Sequence, residues 1–312
     1  MIDPGRCTPP VRGIFIANLV AQMAIVVTGA VVRVTGSGLG CPTWPECVEG
    51  SYTPTARQEE TWHKYVEFGN RMLTFALVVL AVAAIVAVII DRRRRSRLSL
   101  PPRRALLILA AVPFIGTFAQ AALGGVTVLT GLHPATVSAH FLVSMAIIAF
   151  CVALVARSAD PGDSPVVLLV RREIWILTWG IVSVAGLVVL LGVIVTGSGP
   201  HSGDADSENR FSFDPRTVSW LHADVVLLFL GLLAALLLAL RLTDAPSRVR
   251  RAAWILTGVA LAQGLVGYVQ YFTGLPVVAV IAHVTGAVCV WAAVLFMPFA
   301  ERTRGQPAAV SG

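Results

Sequence analysis

The chain has 312 residues, of which 56% are hydrophobic and only 13% are charged, and its mean hydropathy is +0.78. A soluble globular domain carries about 25% charged residues, so this composition excludes a soluble enzyme and indicates an integral membrane protein. The formal net charge of +7 would suit nucleic acid, but the basic residues cluster on one side of the predicted spans, so we expect no nucleic-acid partner.

Eight stretches are long and apolar enough to cross a bilayer as a helix, which takes about 20 residues. They predict an all-α integral membrane protein with eight transmembrane helices. Basic residues concentrate at both termini and in the loops after the second, fourth and sixth stretches, most densely at Arg92–Arg97, so the positive-inside rule predicts cytoplasmic termini. Lys64 is the single lysine, which is typical of a high-GC bacterial gene and predicts a bacterial plasma membrane. The predicted spans are residues 14–34, 67–90, 105–127, 136–157, 173–196, 217–240, 252–272 and 277–299.

The loop after the first span reads C-P-T-W-P-E-C, from Cys41 to Cys47. It lies on the side of the membrane that is predicted to be oxidising, where disulfides persist. Pro42 and Pro45 restrict the backbone of this short loop, so we expect a Cys41–Cys47 disulfide. Its role stays open from the sequence, because a structural staple and a redox-active dithiol have the same spacing.

The second span begins with H-K-Y-V-E-F-G-N-R, which places Glu67 at membrane depth. One interpretation is an ion pair with Arg71, in the favourable acid-to-base order at i,i+4. Another is proton transfer, because a carboxylate in a membrane is a suitable proton acceptor when its environment raises its pKa. The two roles are compatible. Arg71 itself either reaches an anionic group of a bound cofactor or snorkels to the interface.

The third and fourth spans recur as the seventh and eighth. Residues 118–132 match residues 261–275 without a gap, and the same offset of 143 pairs His140 with His283. The first and fifth spans both end in V-T-G-S-G. An even number of spans in each repeat predicts two tandem four-helix bundles, residues 1–160 and 161–312, related by a pseudo-two-fold axis along the membrane normal.

His222 and His283 are lone imidazoles at similar depth in non-adjacent spans of the second half. Ionisable side chains inside a membrane are costly and usually functional, and facing histidines in a helical bundle are a common way to hold a haem iron. The alternative is a pair of core histidines bonded to backbone or hydroxyl groups. In the first half, His140 lies at the matching depth. Alignment of the helix starts makes Asn70 the first-half residue that corresponds to His222.

With these motifs, the sequence resembles the haem A synthase family along nearly its whole length, from about residue 13 to residue 298. The resemblance implies eight spans and an enzyme that oxidises a ring methyl group of haem O to a formyl group, through hydroxylated intermediates, to give haem A for terminal oxidases. Haem O synthase and an electron acceptor are further expected partners. The matching motifs are T-G-S-G-L-G-C-P-T-W-P-E-C (Thr35–Cys47), E-F-G-N-R (Glu67–Arg71), A-H (Ala139–His140), T-G-S-G-P-H-S-G-D (Thr196–Asp204), L-H-A-D (Leu221–Asp224) and A-H-V-T-G (Ala282–Gly286).

The resemblance also implies roles for individual residues. His222 and His283 match the axial ligands of a haem b cofactor in the second half. His140 matches an iron ligand of the substrate haem, and Glu67 matches a residue thought to be catalytic. The pair Cys41 and Cys47 matches the cysteines of the family's outer loop.

The chain departs from the family pattern at two places. The commoner motif in the second span is E-x-x-H-R, and here the histidine is replaced by Asn70. We therefore expect His140 alone to hold the substrate iron. His63 lies about two turns, roughly 10 Å, before Asn70, and would serve as the second ligand only if the start of the helix were distorted. The loop after the fifth span (residues 197–216) lacks the second cysteine pair of some relatives.

Two other functions fit parts of the pattern. A di-haem, cytochrome b-like electron carrier would share the histidines but has no need of Glu67 or the cysteine loop. A transporter built on a repeat would carry its polar site near the bilayer midplane, with broken helices. The predicted polar layer lies near one end of the helices instead, which favours the enzyme.

Overall fold

The computed structural model describes residues 7–56, 58, 61–201, 203 and 209–305. Within them lie eight long helices, each apolar enough to span a membrane, so the predicted all-α multi-pass fold is confirmed. They are α1 (Pro9–Val34), α2 (His63–Arg97), α3 (Ala105–Leu129), α4 (Pro134–Arg157), α5 (Arg172–Ser198), α6 (Pro215–Leu242), α7 (Ser247–Phe272) and α8 (Val277–Ala300).

The helices pack as two neighbouring groups. Helices α1 to α4 contact one another in sequence, and α4 returns to α1; helices α5 to α8 close in the same way. Between the groups, α8 contacts α1 and α4, and α4 contacts α5. The indole of Trp291 on α8 donates to the carbonyl of Met145 on α4 at 2.9 Å. The pseudo-two-fold axis and the domain boundary near residue 160 stay predictions.

Helix α2 is longer than the sequence predicted, because it continues through the arginine run to Arg97. Hydropathy ends the apolar stretch near residue 90, yet arginine is a good helix former and a positive last turn suits the helix dipole. Arg95 is buried and donates to the carbonyls of Pro101 at 2.8 Å and Pro161 at 2.5 Å. Part of the run therefore has a structural role.

The repeat seen in the sequence extends to the backbone of two turns. The α3–α4 turn has positive φ at Gly131 and Leu132, and the α7–α8 turn has it at Gly274 and Leu275. The same bonds close both turns: the amide of Leu132 donates to the carbonyl of Thr127 at 2.9 Å, and its counterpart joins Leu275 to Gln270 at 2.8 Å. Each turn therefore starts its next helix in the same way.

We call the end of the bundle that carries the Cys41–Cys47 disulfide and the start of α6 the disulfide end, and the opposite end the arginine-rich end. At the arginine-rich end, strand β1 (Val166–Leu168) pairs antiparallel with β2 (Arg302–Arg304). Asp160 lies 3.2 Å from Arg157 and 3.0 Å from Arg302. The segment between α4 and α5 is thus tied to the segment after α8.

Glu301, just after α8, predicts a pH dependence of stability. Its side chain is fully buried, the Thr178 hydroxyl donates to Oε1 at 2.6 Å, and burial raises the pKa of Glu301 to about 7 from 4.5. Burial penalises the charged form only when the protein is folded, so stability is highest below pH 4.5 and falls as the pH rises towards 7. The loss is roughly 3 kcal/mol, at 1.36 kcal/mol per pKa unit.

Thermal unfolding in detergent between pH 5 and 8 measures this effect. The melting temperature of the native chain should fall across the window, and Glu301→Gln, which is neutral throughout, should lack that component. An equal fall in both proteins would show that another group is responsible.

Candidate functional site

A layer of polar side chains lies at one depth near the disulfide end. His140 and His283 are the seventh residues of α4 and α8, and Asn70 and His222 are the eighth residues of α2 and α6. At 1.5 Å per residue, all four lie about 9–11 Å from the start of their helix. Asp214 fixes the start of α6, because its carboxylate accepts from the Thr217 amide at 2.8 Å and the Thr217 hydroxyl at 2.6 Å. The same hydrogen bonds lower the pKa of Asp214.

Each of the three histidines in this layer faces a glycine on a neighbouring helix. A Cβ atom added at Gly124 or Gly192 would lie 3.4 Å from Cε1 of His140 or His222, and one added at Gly267 would lie 3.1 Å from Cε1 of His283. The Cε1–Nδ1 edge of each ring therefore packs against bare backbone. A larger residue there would push the imidazole away.

The second half fits a haem held between two imidazoles. His222 and His283 lie at the same depth on α6 and α8, two helices that both pack against α5 and α7. Gln263 holds the His283 ring, because its Nε2 lies 2.9 Å from Nδ1 and 2.8 Å from the His283 carbonyl oxygen. No group of three or more His, Cys, Asp or Glu side chains that could bind a bare metal ion occurs within the described ranges. Iron ligation stays a prediction.

The glycine behind His283 gives the first test of that site. Gly267→Val should displace the imidazole and lower haem content about tenfold or more, since orienting contacts around a ligand are typically worth 10- to 100-fold in metal affinity. Haem per polypeptide, measured from Soret absorbance, is the readout. Gly264→Val on the same helix is the matched control, because an added Cβ meets nothing within 4 Å there. Equal haem in both variants would contradict the role of Gly267.

The predicted disulfide joins Cys41 to Cys47, and both side chains are fully buried. Two contacts seat this loop on the helices. The Trp44 ring packs on Gly125 of α3, where an added Cβ would lie 2.7 Å from Cγ of the indole. The guanidinium of Arg71 on α2 donates to the carbonyl of Cys41 at 2.7 Å and also reaches two other loop carbonyls.

Glu67 lies under the disulfide loop and is 5% exposed. One carboxylate oxygen accepts from the Cys41 amide at 2.6 Å, and the other accepts from Arg71 at 2.6 Å. The expected i,i+4 ion pair is therefore present. The structure adds that Glu67 joins helix α2 directly to the backbone of a disulfide cysteine.

Asn70 lies one turn beyond Glu67 on α2. The Thr28 hydroxyl on α1 donates to its Oδ1 at 2.8 Å, which leaves the amide nitrogen as the end of the side chain not used by Thr28. The position that the helix alignment pairs with His222 thus carries an oriented amide. His63 is occupied elsewhere, since its Nδ1 lies 2.9 Å from the Ser37 hydroxyl.

The segment between α5 and α6 reaches both halves. The His201 imidazole lies 3.1 Å from the carbonyl of Leu275, and its own carbonyl accepts from Arg33 at 2.7 Å. Gly203 accepts from the Gly38 amide at 2.8 Å. Ser202 and Asp204 belong to the motif T-G-S-G-P-H-S-G-D (Thr196–Asp204), but both lie outside the described residues.

Several site residues were not identified from the sequence. Gly192 and Thr28 lie in helices for which the repeat gives no gap-free alignment. Gln120 and Gln263 occupy equivalent positions in the matching stretches, but the sequence does not predict their contacts. The available signal was their fixed distance from the histidines, 20 residues in both copies.

Comparison with known proteins identifies the family of this chain. The profile of the COX15-CtaA family, described as cytochrome oxidase assembly protein, matches residues 12–295. Proteins named "Heme A synthase" from Bacillus cereus (strain 03BB102) and Bacillus anthracis (strain A0248) are each 24% identical over 289 residues, covering 88% of both chains. One from Bacillus mycoides (strain KBAB4) is 23% identical over the same length. The match spans every described helix, and the chain therefore belongs to the COX15-CtaA family of cytochrome oxidase assembly proteins.

Proposed function

We propose that this protein is a haem A synthase, an oxidoreductase that converts a ring methyl group of haem O to the formyl group of haem A. The carrying observation is that each half presents a histidine at the same depth, and that the first half adds a buried carboxylate, Glu67. An electron carrier needs the histidines alone. The name of the relatives supports the same activity.

The second half is the proposed site of a resident haem b. His222 and His283 would hold its iron through their Nε2 atoms, while Gly192 and Gly267 leave room for the rings and Gln263 orients one of them. When bound, this group supplies one-electron redox chemistry. The apolar helix faces around the histidines exclude water from the site.

The first half is the proposed site of the substrate. Oxidation of a methyl group to a formyl group with one water molecule releases four electrons and four protons, and the electrons pass to an acceptor. His140 would hold the substrate iron. Glu67, about one turn nearer the disulfide end than Asn70, would accept protons released at the methyl carbon, and Arg71 and the Cys41 amide keep its two oxygens in place.

Asn70 makes a specific prediction for the substrate iron. An asparagine amide is a poor iron ligand compared with imidazole, so the iron is held by His140 alone and its other axial position is weakly ligated or open. We expect a high-spin contribution in the electron paramagnetic resonance spectrum of protein loaded with haem O. The variant Asn70→His should convert it to a low-spin signal; a bis-histidine low-spin signal from the first-half haem of the native protein would refute the assignment.

The proposed setting is a bacterial plasma membrane with both termini in the cytoplasm. The arginine-rich end then faces the cytoplasm and the disulfide end faces outwards, where the Cys41–Cys47 bond persists. Haem O synthase and an electron acceptor are the proposed partners. Both chain termini lie outside the described residues.

Haem extraction and chromatography from the purified protein, with haem O supplied by the host, test the proposal. Haem b together with haem A or its hydroxylated precursor is the expected result. Haem b without any oxidised product would indicate the electron carrier instead. Absence of all haem would overturn both functions and leave the transporter.

A further inference from the structure

His283 and His140 are equivalent in the repeat, but they differ in the hydrogen bonding of Nδ1, the ring nitrogen that would not bind iron. In the second half, Nε2 of Gln263 lies 2.9 Å from Nδ1 of His283. In the first half, the corresponding Gln120 donates to the His140 carbonyl at 2.9 Å and to the Ser144 hydroxyl. Nδ1 of His140 is buried and has no hydrogen-bond partner among the described residues. The same glutamine therefore reaches the imidazole in one half alone.

Two substitutions between the repeats explain this difference. Gly286 gives Gln263 its place, because an added Cβ would lie 2.8 Å from Cδ of Gln263 and closer still to Oε1. The offset of 143 places Val143 at the matching position of the first half and Ser144 opposite Ala287. Valine removes the space beside the imidazole, and serine offers Gln120 another hydroxyl partner.

We propose that Gln263 is a positioning residue that makes His283 a strong iron ligand, and that Ser144 withholds Gln120 from His140 so that His140 stays a weak one. The resident haem is then retained, and the substrate haem can leave after oxidation. This inference rests on the proposed function, because it requires one haem that stays and one that turns over.

The physical basis is the second hydrogen bond of a ligating imidazole. When Nε2 binds iron, the proton lies on Nδ1, and an acceptor for it fixes the ring and raises its basicity. Oε1 of Gln263 has no partner among the residues described. Rotation of the amide presents Oε1 to the protonated nitrogen, since the two ends of a glutamine amide have nearly the same shape. The rotated amide gives up the bond of Nε2 to the His283 carbonyl and tilts away from that oxygen. Nδ1 of His140 has no such acceptor among the described residues.

The first experiment measures haem b in Gln263→Leu. We expect haem transfer to apomyoglobin to be about 10- to 100-fold faster than from the native protein. The haem b midpoint potential should also rise, because a less basic ligand stabilises ferric iron less. Gly286→Val introduces the residue found at this position in the first half. It should also speed haem transfer and raise the midpoint potential, and it replaces Gln263→Leu if that variant does not accumulate. Thr285→Val is the matched control, because the Thr285 hydroxyl bonds only the Ile281 carbonyl of its own helix, at 2.8 Å.

The second experiment introduces the second-half residues into the first half. The double variant Val143→Gly, Ser144→Ala reproduces the second-half residues and frees Gln120 to approach His140. Transfer of the substrate or product haem to apomyoglobin should become slower. Unchanged transfer and potential in Gln263→Leu would overturn the role of Gln263, and unchanged release in the double variant would overturn that of Ser144. A native protein without haem b would instead refute the proposed function itself.

Discussion

Alanine in place of either His222 or His283 is expected to remove haem b from the purified protein almost completely. Each substitution deletes one of the two proposed axial ligands and leaves a cavity beside the glycine that the ring had covered. Iron that keeps a single imidazole is held much less tightly than iron between two. Haem per polypeptide, by pyridine haemochrome, should therefore fall more than tenfold.

His133 provides the matched control. It caps the start of α4, where its Nδ1 accepts from the Ala135 amide at 3.3 Å. Loss of a helix cap costs about 1 kcal/mol, so His133→Ala should lower stability slightly and leave haem b in place. Full haem b content in both His222→Ala and His283→Ala would refute the ligand assignment.

All eight helices could be predicted from the sequence, because membrane spans depend on a local property, the length of an apolar run. The limits of α3 and α8 agree with the prediction within two residues. The end of α2 does not, because backbone hydrogen bonding continues after the apolar run has ended. Side-chain contacts of Arg95 with distant carbonyls hold those extra turns.

The histidine layer was predictable for a different reason. The gap-free repeat gave the pairing of His140 with His283, and helix starts gave the depth of His222 and Asn70. A repeat alignment cannot say what a repeated residue touches. Gln120 and Gln263 occupy equivalent positions and still have different partners, because their neighbours on the facing helix differ.

The contacts between the disulfide loop and the helices could not be predicted from the sequence. The ion pair of Glu67 with Arg71 follows from helix periodicity, but the contact of Glu67 with Cys41 joins residues 26 apart in sequence through an irregular loop. Its geometry depends on where Trp44 packs, which the spacing of the cysteines does not determine. The most informative contact for the chemistry was therefore visible in three dimensions alone.

That contact leads to the second large effect: Glu67→Gln should nearly abolish conversion of haem O while haem b is retained. Glutamine keeps the size of the side chain and an oxygen that can accept from the Cys41 amide, but it cannot take up a proton at neutral pH. Removing a general base typically costs about 100- to 10,000-fold in rate. The ratio of haem A plus hydroxylated haem to haem O, after extraction, measures the loss.

Glu46→Gln is the matched control, because Glu46 is a carboxylate of the same loop whose Oε2 accepts from the Gly50 amide at 2.9 Å. It should leave the product ratio unchanged. Near-native conversion by Glu67→Gln would show that Glu67 only holds the disulfide loop in place and does not transfer protons.

The double variant Cys41→Ser, Cys47→Ser tests the positioning of Glu67 by the disulfide loop separately from proton transfer by Glu67 itself. A disulfide that closes so short a loop stabilises it by about 2 kcal/mol, so its loss loosens the backbone that holds one oxygen of Glu67. Conversion should fall in this variant with Glu67 still present, and haem b should stay bound because His222 and His283 belong to the other half. A carboxylate that must be both held and free to exchange protons needs such a clamp, which explains why Glu67, Arg71 and the disulfide occur together at this end of the bundle.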